Sequence, residues 1–172
     1  LFLPRADFYI CGENDFTNLF MRDLGPGALI VTCKGRLVPR VKTRCDKYGC
    51  HSMLFKMGLH RSRNERWGFT LTHIIEILNK GSPVVIHCRA GMHHSVLTYC
   101  FVLMYGLGIT FEEARRKLES IRTVELDCTL EAQSRKDGTM TEAHQIYIPL
   151  WEELALIDAE CIRNYRLLPR LT

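Results

Sequence analysis

The residues best suited to chemistry gather in one stretch, 83–95, which reads PVVIHCRAGMHHS. Cys88 is a nucleophile once ionised, Ser95 carries a hydroxyl that both donates and accepts, and Arg89 is a fixed cation. His87, His93 and His94 are imidazoles whose charge changes near neutral pH. Before the cysteine, Val84, Val85 and Ile86 form a short β-branched run with Gly81 and Pro83 as punctuation, which predicts a buried strand. After it comes a loop with Gly91 at its middle, then an apolar helical run over 96–107. A strand, a tight loop and a helix N-terminus make an anion site, because loop N–H groups converge there and the helix dipole favours negative charge. The same field lowers the pKa of a cysteine at its floor, so Cys88 has the position of a thiolate nucleophile.

The remaining elements must hold that stretch in place. Residues 6–10 (ADFYI) predict a short strand, followed by a turn at Gly12 and Asn14 and a short helix capped by Asp15 that runs through Met21 and Arg22. Residues 28–33 (ALIVTC) predict a buried inner strand, and 52–57 (SMLFKM) another. Between them, 34–50 is polar and basic with no clear period, and reads as a solvated loop or as a recognition loop for phosphate or an acidic partner. Residues 67–79 have apolar side chains at 67, 71, 74, 75 and 78, the spacing of a helix, with His73 on its polar side. Thr110 and Glu113 form a capping box that opens a helix to about Ser120. A last helix is expected from Pro149, with Leu150, Trp151, Leu154, Ile157, Cys161 and Tyr165 on one face, before an apolar tail at 167–171.

With these elements in view, the central stretch resembles the signature loop of the cysteine-based protein tyrosine and dual-specificity phosphatases: His-Cys, five residues, Arg, then Ser or Thr. His87, Cys88, Gly91 and Ser95 fall on that pattern, and His94 stands in the arginine position. The opening strand–helix–strand succession and the Gly-Ile-Thr-Phe-Glu-Glu-Ala stretch leading to Ile121 and Arg122 resemble the family as well. The resemblance implies an α/β fold, a central mostly parallel sheet flanked by helices, in a single dual-specificity phosphatase-like domain over 1–172. Its core would span about 6–123 and its C-terminal helix and tail about 139–172. It implies a phosphate-binding loop of Cys88, Arg89, Ala90, Gly91, Met92, His93 and His94, with Cys88, His94 and Ser95 as the catalytic positions. Cys88 would attack phosphorus, and Ser95 would assist departure of the thiolate from the phosphocysteine. The resemblance points Arg89 away from the bound phosphate.

Two departures bear on activity. The family's arginine fork grips two phosphate oxygens, whereas an imidazole supplies one good donor and is cationic only when protonated. The family's general-acid loop carries an aspartate, but the matching residues 57–60 are Met-Gly-Leu-His, which leaves His60 or Glu65 to substitute. The expected function is therefore a pseudophosphatase, a phosphatase-like fold kept for phosphate-dependent binding or as a subunit of an assembly. The alternative is an active cysteine-dependent phosphatase with atypical groups. A third reading, sulfur transfer or redox sensing, has the nucleophile but no resolving cysteine that the sequence identifies.

Composition agrees with one globular domain: 172 residues, 47% hydrophobic and 24% charged, which excludes a wholly disordered chain. A net charge of +4 is too small to argue for nucleic acid. The expected partner is a protein, phosphorylated or part of a larger assembly, with no nucleic acid and no cofactor. No stretch approaches the roughly 18 apolar residues of a membrane span, and none reads as a signal peptide. The eight cysteines are scattered, several within apolar runs (Cys33, Cys100, Cys161), which suits small buried hydrophobes in a reducing, intracellular compartment, the cytoplasm first. Cys45 and Cys50 with His51 lack the second pair of a zinc site, and the adjacent His93 and His94 diverge, so no metal is expected.

Overall fold

The computed structural model describes residues 7–33, 37–55, 64–88 and 94–121. Four strands, β1 (Phe8–Gly12), β2 (Leu29–Thr32), β3 (His51–Leu54) and β4 (Val84–Cys88), form one sheet in the order β1-β4-β2-β3, and every pairing is parallel. The strand that carries the cysteine is thus inserted between the first two. It is buried along its whole length, as a central parallel strand with helices on both faces should be.

Among the described residues five α-helices cover the sheet: α1 (Asn18–Leu24), α2 (Pro39–Tyr48), α3 (Asn64–Asn79), α4 (His94–Leu107) and α5 (Phe111–Ile121). Two separate cores show which face each one covers. Met21 and Leu24 of α1, with Val41 and Cys45 of α2, pack on Ile30 and Val85. On the other face Leu71, Ile74, Ile75 and Leu78 of α3, Val96, Tyr99, Cys100 and Leu103 of α4, and Ala114 and Leu118 of α5 pack on Leu29, Val31, Val84 and Ile86. Alternation along β2 and β4 sends successive residues to opposite cores. Tyr99 of α4 stacks on Phe8 with ring centroids 3.9 Å apart and donates a hydrogen bond to the Phe8 carbonyl at 3.2 Å, which ties the helix behind the cysteine to the edge strand.

The architecture is the α/β one expected, and α3, α4, β4 and the Thr110 capping box fall where the sequence predicts them. Thr110 Oγ1 accepts from the Glu113 N–H at 3.2 Å while a Glu113 carboxylate oxygen accepts from the Thr110 N–H at 2.9 Å. His73 is exposed, a surface side chain as its polar neighbours suggest.

Two local expectations are corrected. The cap of α1 is Thr17, whose hydroxyl accepts from Phe20 N–H at 3.2 Å. Asp15 belongs to a 3-10 turn (Glu13–Asp15), and its carboxylate accepts from the Gly12 N–H at 2.8 Å. The polar stretch 34–50, expected as a loop, contains α2. Pro39 opens that helix, Gly49 closes it in the left-handed conformation (φ 71°, ψ 24°), and Val41 and Cys45, one turn apart, are its buried contacts. The helix expected from Pro149 and the tail at 167–171 lie outside the described residues.

Candidate active site

The cysteine is placed by the sheet. Cys88 is the last residue of β4, at the carboxyl end of a central strand, where the helices change from one face of the sheet to the other and where open α/β sheets bind their ligands. His87, one residue earlier, points to the opposite core and is fully buried. Its Nε2 lies 2.7 Å from the hydroxyl of Thr32, the residue paired with it on β2, and Phe16 meets its ring edge-on with centroids 4.8 Å apart. These contacts fix the end of β4 from below.

The helix that follows supplies the second wall. α4 begins at His94, and Ser95 in its first turn is fully buried with its Oγ 3.3 Å from the Cys88 sulfur. Cys88 itself is 4% exposed. The sulfur therefore sits against the N-terminal turn of a 14-residue helix, whose dipole places about half a positive elementary charge at that end. A hydroxyl in contact with a cysteine sulfur stabilises it as a thiolate, in free form or as a leaving group.

Of the site residues expected from the sequence, the structure brings Cys88 and Ser95 into contact and sets His94 at the first position of α4. Arg89, Ala90, Gly91, Met92 and His93 lie outside the described residues, as do Gly58 and His60. Glu65 lies in the first turn of α3.

One participant is not predicted from the sequence beyond its burial. Cys33 follows β2 directly and is 1% exposed, and its thiol donates to the hydroxyl of Thr98 at 3.2 Å. Thr98 stands one helical turn beyond Ser95, so α4 presents two buried hydroxyls to two cysteines, one ending β4 and one just after β2. Burial, above all, pushes the Cys33 thiol up to about 12, and the nearby Cys88 adds to the effect. Cys45 and Cys50 are also buried, the Cys50 thiol donating to the Gly25 carbonyl at 3.5 Å. Among the described residues no group of three or more His, Cys, Asp or Glu is arranged to hold a metal, and no helix is long and apolar enough to cross a membrane.

No family model matches the sequence, and no curated protein sequence matches it significantly. Solved structures do. Tk-PTP in its active form is 21% identical, with 85% of this chain and 90% of that one covered and a TM-score of 0.54. Human DUSP28 is 11% identical, with 86% and 92% covered and a TM-score of 0.55. PTPMT1 is 12% identical, with 93% and 94% covered and a TM-score of 0.58. Likeness over nearly the whole length of each chain, with Cys88 at the carboxyl end of the inserted strand, gives the conclusion that this chain has the fold of the cysteine-based tyrosine and dual-specificity phosphatases.

Proposed function

We propose that this domain is a pseudophosphatase: it retains the oxyanion-binding floor of the phosphatase fold, uses it to bind a phosphorylated protein, and does not turn substrate over. The observation that carries this reading is the residue at the start of α4. His94 stands where the resemblance expects a guanidinium, directly before a serine that keeps its contact with the nucleophile. Without the fork, the charge that develops on the equatorial oxygens has at most one side-chain donor. Losing one such preorganised donor costs about 10²–10³ in rate. Loss of a positioned general acid, with Met-Gly-Leu-His over 57–60 where the resemblance expects an aspartate-bearing loop, costs a further factor of about 10²–10⁴. Anion binding is less affected, because backbone N–H groups and the helix dipole supply it.

A second reading, an active phosphatase with atypical groups, draws on the 3.3 Å contact between Cys88 and Ser95, which is what release of a phosphocysteine needs. The two readings separate in one experiment. Turnover of a small aryl phosphate is measured from about pH 5 to about pH 8 for the parent, His94→Arg, and His94→Arg combined with Gly58→Asp. Inorganic phosphate binding is followed on the same proteins. The pseudophosphatase reading expects a silent parent that binds phosphate and variants that gain Cys88-dependent turnover. Turnover by the parent that disappears in Cys88→Ser overturns it.

A further inference from the structure

We infer that the flank of α2 formed by Arg40, Arg44 and Lys47 is a docking strip for an acidic segment of a protein partner; the choice of partner rests on the phosphate-dependent binding proposed for this domain. The polar stretch 34–50 folds in its second half into a helix that sorts its charges. At about 100° per residue, Arg40, Arg44 and Lys47 fall within about 60° of one another, while Lys42 and Asp46 lie on the other side of the buried line through Val41 and Cys45. Arg40 and Lys47 are exposed and Arg44 is half-buried.

The two flanks differ in how their charge is met. Lys42 pairs with Asp46 at 2.9 Å, one turn along. On α5, Arg115 pairs with Glu119 at 3.1 Å and Arg116 lies 3.7 Å from Glu112, so that surface is balanced within its own helix. Among the described residues no carboxylate pairs with Arg40, Arg44 or Lys47. Arg40 donates to neutral oxygens, the Asn14 side chain at 2.8 Å and the Glu13 carbonyl at 3.4 Å, and the Lys47 ammonium sits 5.2 Å from the centre of the Tyr48 ring. These contacts orient the cations and leave their charge unneutralised. Like charges three and four residues apart destabilise a helix, and an acidic ligand laid along them relieves that cost.

Position ties the strip to the candidate site. Arg40 is anchored on Glu13 and Asn14, which directly follow Gly12, the β1 residue paired with Cys88. The strip therefore starts at the carboxyl end of the sheet, where Cys88 ends β4, and runs on for about 10 Å along α2. An extended chain covers that length in about three or four residues, so the matching ligand is a run of acidic side chains of that length near the phosphorylated residue. A protein segment fits this strip better than an anionic membrane does. The exposed large hydrophobics among the described residues, Tyr9 and Leu19, both lie off α2, which leaves the helix without an apolar anchor, and Asp46 adds a charge that an anionic surface repels.

The test is fluorescence anisotropy on the full chain with a labelled peptide in which phosphotyrosine is flanked on each side by four glutamates. It is set against the same peptide with glutamines and against the unphosphorylated glutamate peptide. The parent is expected to bind the phosphorylated glutamate peptide about tenfold more tightly than the glutamine one, by a margin that shrinks as salt rises. Arg44→Gln should weaken that preference, and Arg44→Gln combined with Lys47→Gln should remove it. Lys42→Gln changes the net charge as much as Arg44→Gln does, but it lies on the other flank and should keep the preference. Equal affinity for the two phosphorylated peptides, or no binding of either, overturns the proposal. So does a loss in Lys42→Gln as large as that in Arg44→Gln, or tighter binding through Arg44 and Lys47 to phosphatidylserine vesicles or to a single-stranded oligonucleotide than to the peptide. A glutamate preference with no gain from the phosphate supports the strip and sinks the phosphate-binding reading, so the two fail separately.

Discussion

At the scale of single residues, Cys88 is held by its neighbour in sequence. His87 is fully buried, and its contacts include a side-chain hydrogen bond across the sheet, 2.7 Å to Thr32, and the edge of Phe16. Thr32→Val keeps the shape of the side chain and removes that hydrogen-bonding partner. Leaving a buried polar nitrogen short of its partner costs about 1–3 kcal/mol. The urea midpoint should fall by the corresponding amount with the slope unchanged; an unaltered midpoint would show that His87 does not depend on Thr32. The contact between Cys88 and Ser95 was legible through the resemblance, because both residues fall on one local motif in which the serine acts on the cysteine. The contact between Cys33 and Thr98 was not, since 65 residues separate them and the packing of α4 on the sheet brings them together.

At the scale of elements, hydrophobic period decided what could be read. β4, α3 and α4 carry long apolar patterns and stand where expected. α2 buries only Val41 and Cys45 in ten residues, and charged side chains hide a period that rests on two positions. Its start and stop signals, Pro39 and Gly49, were present but have no period between them to confirm a helix. Gly49 is the more informative of the two. At φ 71° it occupies the left-handed region, and a Cβ there would also lie 3.4 Å from Cβ of Pro26, whose loop enters β2. Gly49→Ala should therefore lower stability by about 1–2 kcal/mol, the cost of the left-handed conformation for a residue with a Cβ. Equilibrium urea unfolding reads this directly, and a protein as stable as the parent would mean that the α2 terminus relaxes to another geometry.

At the scale of the whole molecule, the sheet divides the chain into two apolar cores, and cysteines are built into both. Their burial makes stability depend on alkaline pH. Desolvation pushes the thiols of Cys33 and Cys100 up to about 12 and that of Cys45 up to about 11, and raises Cys50 as well, from an ordinary value of 9.0. The Tyr99 phenol is raised by the same cause. In each case the folded state holds its proton more tightly than the unfolded chain does. The contribution is fully present below the unfolded value. Above about pH 9 the unfolded thiols ionise first, the unfolded chain binds fewer protons than the native one, and unfolding becomes easier as pH rises. Each fully buried thiol steepens this decline by up to about 1.4 kcal/mol per pH unit until its own folded value is reached. Urea midpoints should therefore be level near neutral pH and fall progressively from about pH 9 to about pH 11. In Cys100→Ala that decline should be shallower, because one of the linked protons is gone, even where the variant starts from a lower midpoint at neutral pH. Midpoints that hold level through this range would mean that the buried thiols reach water in the folded state, and the two-core packing would then need revision.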